Sequence, residues 1–368
     1  MHNMRIALFL PSLGGGGAER VFITLAQSLK SIDYSVDLVV CSFVGEYIGQ
    51  VGNINIIDLG SKSIAGSVVS LVKYLKNRRP EILLSGLTYT NLVAILSARI
   101  ANCSTRVVIS EHANMVEFFK VANAKERILF YLARLLYGSA HGFIGVSNGV
   151  YQSVYDFIGN SMPKNNIVIY NPIISTGEQI LPLRRAKKKM QQDEKYIIVS
   201  AGRLNKQKDF ATIIRAFALL PINSACLLYI YGDGPLLSVL RDLSSELDVA
   251  DKVLFPGFVN NLQEKLKQAD LFVLSSPSEG FGNVLVEALA SGCPIVSTNC
   301  PSGPHEILDG GRFGILTPVH DENAMSSAIQ DSLEGKGPHY NTLEAIAPYR
   351  SEFVVMRYIE FFNKCINE

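Results

Sequence analysis

The chain has 368 residues, 48% of them hydrophobic and 18% charged; about 150 residues per domain points to two domains, and a charged fraction below the usual quarter excludes a disordered chain. A net charge of +1 gives no nucleic-acid signal for the molecule as a whole. The charge is unevenly spread, a net +5 over residues 1–175 and −4 over residues 176–368, either by chance or because the first half meets a polyanionic or membrane partner.

In chain order, the first half alternates short apolar runs with amphipathic segments. "RIALFL" (residues 5–10) leads into the helical "AERVFITLAQSLKSI". "VDLVV", "INIID", "EILLSGL", "RVVISEH", "GFIGVS" and "IVIYNPI" follow, separated by helical patterns such as "TNLVAILSARIA" and "KERILFYLARLLYGSA". Continuous β-branched runs between helices predict a buried parallel sheet. Residues 176–195 are polar and basic, without apolar period, and read as a linker. The alternation restarts with "YIIVSAG" and continues through "ACLLYIYG", "KVLFPGF", "LFVLSS" and "PIVST"; "SEFVVMRYIEFFNKCI" predicts one long final helix. The predicted chain is α/β: a doubly wound domain at 1–175, the linker 176–195, a second such domain at 196–350, and the helix 351–368. Ligands of such sheets bind outside the carboxyl ends of the strands, here in the cleft between the domains.

The cysteines Cys41, Cys103, Cys226, Cys293, Cys300 and Cys365 form no C-x-x-C pair and read as small core residues in a reducing compartment. The N-terminal apolar run is cut off by Pro11 and a glycine run, too early for a secretory signal, and no stretch reaches the roughly 18 apolar residues of a spanning helix.

Three stretches at strand ends carry chemistry. "SLGGGGAER" (12–20) opens the first helix, where glycines let amides approach a ligand and the helix N-terminus favours anions; a flexible turn is the plainer alternative. Glu19 stands where a dinucleotide fingerprint needs its third glycine, which disfavours a nicotinamide dehydrogenase. "SAGRLNKQKDF" (200–210) sets Arg203 and Lys208 beside a helix start, a seat for a diphosphate or simply a solvated basic loop. "SPSEGFGNVLVEALASG" (276–292) places Glu279 just ahead of a helix predicted to begin near Gly282 or Asn283, and Glu287 about one and a half turns inside it. Glu279 could be an ordinary cap. Glu287 lies among apolar neighbours and needs a partner, either a ligand hydroxyl pair or a structural salt bridge. There is no D-x-D and no His/Cys cluster with metal spacing, so no metal is expected.

With "GGAER", "SEH" at 110–112, "GRLNKQKD", "GDGP" at 232–235, the E-x7-E block "SPSEGFGNVLVEALASGCPIVST" and "GPHEIL" at 303–308, the sequence resembles the retaining glycosyltransferases of family 4 over essentially its whole length. The resemblance implies the GT-B fold, two Rossmann-like domains facing a cleft with the final helix crossing back to the first. It implies that Arg203 and Lys208 hold the donor diphosphate and that Glu287 accepts the ribose hydroxyls. Glu279 would accept hydroxyls of the transferred sugar, near the amides of Phe281, Gly282 and Asn283. Gly15 and Gly16 would close on the diphosphate or acceptor, and His112 would contact the donor sugar and the developing positive charge. The departing phosphate would deprotonate the acceptor on the same face, with no cofactor. General resemblance favours a UDP-sugar and, within that class, an N-acetylhexosamine. The acceptor would be a saccharide or lipid-linked saccharide in surface polysaccharide synthesis. The protein would then be cytoplasmic and peripheral to the inner face of the cell membrane, with no nucleic-acid partner.

"KVANAKERILFYLARLLYGSA" (120–140), with Lys120, Lys125, Arg127 and Arg134 beside Phe118 and Phe119, suits docking on an anionic membrane, or else is a core helix with a basic outer face. Two other functions remain open on this fold. A nucleotide-sugar 2-epimerase is disfavoured by the E-x7-E block, and a non-catalytic sugar-nucleotide-binding protein by the intact Glu279, Glu287, Arg203 and Lys208.

Overall fold

The computed structural model describes residues 4–184, 195–222 and 225–367. They divide into two compact units, Met1–Thr176 with Pro348–Glu368, and Gly177–Ala347.

In the first unit the strands are β1 (Arg5–Leu10), β2 (Ser35–Val40), β3 (Asn55–Asp58), β4 (Ile82–Gly86), β5 (Arg106–Glu111), β6 (Gly142–Gly145) and β7 (Asn165–Val168). They form one parallel sheet in the order β3-β2-β1-β4-β5-β6-β7. Helices cover both faces of such a sheet, which is why the strands read as unbroken apolar runs: β1 and β2 expose only their first residue, and β4 and β6 none. The helix Gly17–Ser31 shows the complementary pattern, burying Val21, Phe22, Leu25, Ala26 and Leu29 along one stripe. Expected as a strand through "IVIYNPI", the last segment instead ends at Val168. Ile169 N–H makes a final bond to Gly145 O, and Ile173 and Ile174 turn their amides to Tyr349 O. Pro172 has no amide to continue a ladder. Tyr349 lies just before the final helix, Ser351–Asn367, which crosses back onto this unit and buries Val354, Tyr358, Phe361, Phe362 and Cys365. It packs so closely on β6 that a Cβ at Gly142 would lie 2.7 Å from Cys365 Sγ.

The second unit repeats the scheme with β8 (Tyr196–Ala201), β9 (Cys226–Tyr231), β10 (Val253–Gly257), β11 (Leu271–Leu274), β12 (Ile295–Thr298) and β13 (Ile315–Thr317), in the order β10-β9-β8-β11-β12-β13. Its core packs Ile213, Ile214 and Phe217 of one helix on Leu228, Ile230 and Val273 of the sheet. β13 went unpredicted, being three residues between a glycine and a proline. Of the expected linker, residues 185–194 lie outside the described residues. Residues 177–184 are held on the second unit: Leu181 N–H and Arg184 N–H bond Ala290 O and Gly292 O, and the Arg184 guanidinium reaches Leu266 O and Lys267 O.

In each sheet the strand order reverses about one point, between β1 and β4 in the first and between β8 and β11 in the second. The crevice outside the carboxyl ends at such a switch point is where doubly wound sheets take their ligands. None of the six cysteines is in a disulfide, and only Cys103 is not fully buried.

Candidate active site

The segments after β8 and β11 carry the charged residues of the second unit. After β8 the chain passes Gly202 and Arg203 and folds into a tight loop, in which Asn205 N–H bonds Arg203 O and Lys208 N–H bonds Asn205 O. The "GDGP" stretch is the floor of this loop. Leu204 N–H bonds Asp233 O. A Cβ at Gly232 would sit 2.0 Å from Gly202 O, and one at Gly234 would sit 2.5 Å from Leu204 O. Glycine is required at both positions because two backbones touch there. After β11, the Ser275 hydroxyl lies 2.8 Å from both Lys208 O and Asp209 O and so pins the first loop to the second.

These constraints bring Lys208 and Glu279 together. Lys208 Nζ lies 2.5 Å from Glu279 Oε1, and the same oxygen accepts the Ser276 hydroxyl at 2.6 Å. Ser276 is itself held, its carbonyl accepting from Thr298 Oγ1 at 2.6 Å. Glu279 is only 6% exposed, so a carboxylate there needs this cation and this donor. Arg203, in the same loop, is exposed. Burial, reinforced by the Glu279 charge and opposed by Lys208, pushes the neighbouring Cys300 thiol up to about 12, which keeps it protonated and unreactive.

The helix that follows runs Asn283–Ala290, as its pattern predicts, and starts from Gly282 in the left-handed region (φ 97°) with no side-chain cap. Phe281 is buried against the turn at Gly303, where a Cβ would come 1.8 Å from Phe281 O. "GPHEIL" therefore supports the E-x7-E loop from behind. Glu287 is buried at 4% exposure inside the helix, between Val286 and Ala288, and its carbonyl accepts from Ser291 Oγ.

In the first unit, Gly15 and Gly16 lie between β1 and the helix Gly17–Ser31, whose N-terminus has no side-chain cap. Gly14 to Gly17 all have ordinary φ, so their freedom to adopt φ > 0 is unused here. What they supply is room: a Cβ at Gly16 would meet Glu19 Oε2, and one at Gly15 would lie 3.3 Å from Glu46 Oε2. Two carboxylates thus stand over the loop expected to receive a diphosphate or an acceptor.

His112 directly follows β5. Its ring lies 5.8 Å from that of Phe22, and its Nε2 is 3.2 Å from Ser110 Oγ. Desolvation brings its pKa down to about 4, so the ring is neutral near pH 7. Glu111 points to the opposite face of the strand, as the two-residue period requires. It is buried with Tyr137 and Asn91, accepting from the Tyr137 hydroxyl, Asn91 Nδ2 at 3.1 Å and Thr88 Oγ1 at 3.2 Å. Burial outweighs these donors and raises its pKa to about 7.

Sequence reasoning named the charged residues and missed the hydroxyls that place them, Ser275, Ser276, Thr298 and Ser110. Their only signal was position, as small polar residues at the last turn of apolar strands. Phe119, expected at the surface beside Phe118, is half-buried. Its ring meets those of Phe130, Tyr131 and Phe157 at 5.7, 5.9 and 5.1 Å, with the Arg127 guanidinium 5.1 Å above it.

The family described as Glycosyltransferase Family 4 matches residues 15–175, and that described as Glycosyl transferases group 1 matches residues 184–349. Over 341 residues, and 90% of either chain, the sequence is 30% identical to the N-acetylgalactosamine-N,N'-diacetylbacillosaminyl-diphospho-undecaprenol 4-alpha-N-acetylgalactosaminyltransferase of Campylobacter jejuni. The fold matches Anabaena HepE in complex with UDP and glucose (TM-score 0.79, 17% identity, 98% of this chain and 100% of that one). It also matches the apo form of the lipopolysaccharide outer core galactosyltransferase WaaB (TM-score 0.75, 19% identity, 98% and 99%). Two parallel sheets with charged groups gathered at their switch points, and a relative of known activity along nearly the whole length, lead to one conclusion: the chain is a glycosyltransferase of family 4 with the GT-B fold.

Proposed function

We propose that the protein transfers a sugar from a UDP-sugar, with an N-acetylhexosamine as the transferred group, to a polyprenyl-diphosphate-linked saccharide during the assembly of a lipopolysaccharide or other surface polysaccharide, retaining the anomeric configuration and using no metal ion. The observation that carries this is the Lys208–Glu279 pair at the switch point of the second sheet, its carboxylate buried, with Glu287 buried in the helix that follows. Lys208 and Arg203 receive the diphosphate and take up the charge that develops on the leaving oxygen. Glu279 receives sugar hydroxyls, Glu287 the ribose hydroxyls, and His112 contacts the donor sugar. A carboxylate already engaged by a lysine and a serine is a poor nucleophile, so the leaving phosphate oxygen takes the acceptor's proton on the face it departs from. Catalysis then rests on positioning and on fixed charge. Support for the donor comes from HepE, crystallised with UDP. The Campylobacter relative, whose name gives an N-acetylgalactosaminyl group joined in α linkage to a diphospho-undecaprenol saccharide, supports the transferred group, the stereochemistry and the acceptor.

The acceptor side is a membrane surface. None of the described helices is long and apolar enough to cross a membrane. The helix Ala124–Leu136, however, buries Phe130 and Ala133 and presents Ile128, Tyr131, Leu132 and Leu135 outward, an i, i+3, i+4, i+7 stripe exposed by up to 77%. Val121 and Phe118 of the preceding helix Met115–Val121 are also exposed, and Lys125 and Arg134 are exposed on the same helix as the stripe. Apolar residues between cations suit an anionic leaflet, which supports a peripheral position on the cytoplasmic face of the cell membrane.

The deciding experiment screens nucleotide-sugars first by thermal stabilisation, which a ligand of the folded state raises by mass action. UDP release with a polyprenyl-diphosphate saccharide is then measured in EDTA. Stabilisation by UDP-N-acetylhexosamines and undiminished transfer in EDTA are expected. A requirement for a divalent ion, or an inverted product by NMR, would overturn the mechanism.

A further inference from the structure

Ser110 and His112 point to the same face of β5, and the last ladder pair of β4 and β5 sets Gly86 opposite Ser110. That glycine makes the space beside the imidazole: a Cβ there would lie 2.7 Å from the Phe22 ring and 3.3 Å from His112 Nε2. Ser110 is fully buried, and its hydroxyl has two neighbours, Ser85 O at 3.0 Å and His112 Nε2 at 3.2 Å. A carbonyl only accepts, and a serine has one proton to give. Were that proton given to the imidazole, two lone-pair oxygens would face each other at 3.0 Å in a buried site. Given to Ser85 O, it leaves the serine oxygen as an acceptor, and every group is satisfied. The surrounding bonds agree. Ser85 donates its own hydroxyl to Asn91 Oδ1 at 2.7 Å, and Asn91 Nδ2 donates to Ser110 O at 2.9 Å, so the amide is oriented and Ser85 O is left to accept from Ser110. His112 Nδ1 makes no hydrogen bond with the described residues, and the ring is half-buried rather than enclosed.

We propose that Ser110 is a positioning residue: by donating to Ser85 O and accepting from His112 Nε2–H, it holds the neutral imidazole as the Nε2–H tautomer and presents Nδ1 as a hydrogen-bond acceptor for a hydroxyl of the bound sugar. This rests on the placement of His112 at the sugar under the proposed function. It deepens that placement by giving the contact a direction: the histidine receives a proton from a ligand hydroxyl and offers none. A sugar whose group at that position cannot donate, such as a deoxy or O-methyl derivative, is then a poor donor substrate.

The test uses full-length protein labelled with 15N at histidine, with His112 assigned by its loss in His112→Gln. Two-bond 15N–1H correlations near pH 7, without ligand, should show the Nε2–H tautomer. Ser110→Ala should give a tautomer mixture and lower kcat about 10-fold, the scale of one neutral hydrogen bond, with little change in donor KM. Ser110→Thr, which keeps the hydroxyl, should restore both. An Nδ1–H ring or an imidazolium in the wild type would overturn the assignment. So would an unchanged tautomer in Ser110→Ala, and an altered tautomer with unchanged kcat would remove the hydroxyl contact. A wild type that transfers no sugar at all would instead overturn the proposed function, and the contact with it, while the ring spectrum still reported on Ser110.

Discussion

Lys208 and Glu279 neutralise each other where solvent can do so only weakly, and this makes their contributions to folding and to catalysis separable. Lys208→Ala strands a carboxylate that is 6% exposed. A lost partner for a buried charge costs about 2 kcal/mol or more, which should show as a lower urea midpoint together with loss of transfer. Adding Glu279→Gln removes the stranded charge, so the double variant should recover most of the midpoint and none of the activity. A double variant as unstable as the single one would mean that Lys208 stabilises the unit by packing rather than by its charge. The two glutamates should also part in calorimetry. Glu279→Ala, which removes the proposed sugar contact, should leave UDP binding largely intact while abolishing transfer. Glu287→Ala should weaken UDP binding, and the opposite pattern would reverse their assignment. The settings of the two acids differ accordingly: Glu279 stands ahead of the helix with a lysine and a serine, and Glu287 lies inside it between Val286 and Ala288.

At the scale of elements, the carboxyl end of β5 holds a buried acid whose protonation is linked to folding. Glu111 has a folded pKa of about 7 against an ordinary 4.5. The folded state therefore binds its proton more tightly than the unfolded chain, and the stabilisation is present in full below about pH 4.5 and lost as pH rises towards 7. The shift corresponds to roughly 3 kcal/mol. Glu111→Gln, which resembles the protonated acid, should flatten the fall in urea midpoint between pH 5 and pH 8; an unchanged slope would show that another group carries it. The strand itself was legible in the sequence, as were nearly all the others, because parallel strands covered on both faces must be continuously apolar. β13 was not, since three residues are too few for a pattern to exceed chance. The ion pair between Lys208 and Glu279 was not legible either. Their 71-residue separation closes only through the β8–β11 adjacency and the Ser275 clamp, and no local pattern encodes which strands become neighbours. The exposed stripe Ile128–Leu135 has the period of a core helix, so periodicity alone could not say which of its apolar faces the protein would leave uncovered.

For the molecule as a whole, that stripe predicts reversible attachment with two components. Burying several aliphatic side chains at about 25 cal/mol per Å² gives a part insensitive to salt, and each cation near an anionic leaflet adds about 1 kcal/mol that salt screens. Binding to anionic vesicles should fall with salt without vanishing. Ile128→Ser with Leu135→Ser should remove the residual part, and activity on a short water-soluble acceptor should persist. Equal binding of this variant and the wild type at high salt would exclude the stripe from the contact. A different consequence follows from the backbone contact of Gly232 and Gly234 with the loop at residues 202–208. Because the "GDGP" main chain occupies the space behind that loop, and Gly303 does the same behind Phe281, neither of the two loops is an independent module. A designer exchanging specificity between enzymes of this kind has to transplant each loop with its glycine backing, and the smallest unit that can be inherited or swapped intact is the set of strand ends around the second switch point.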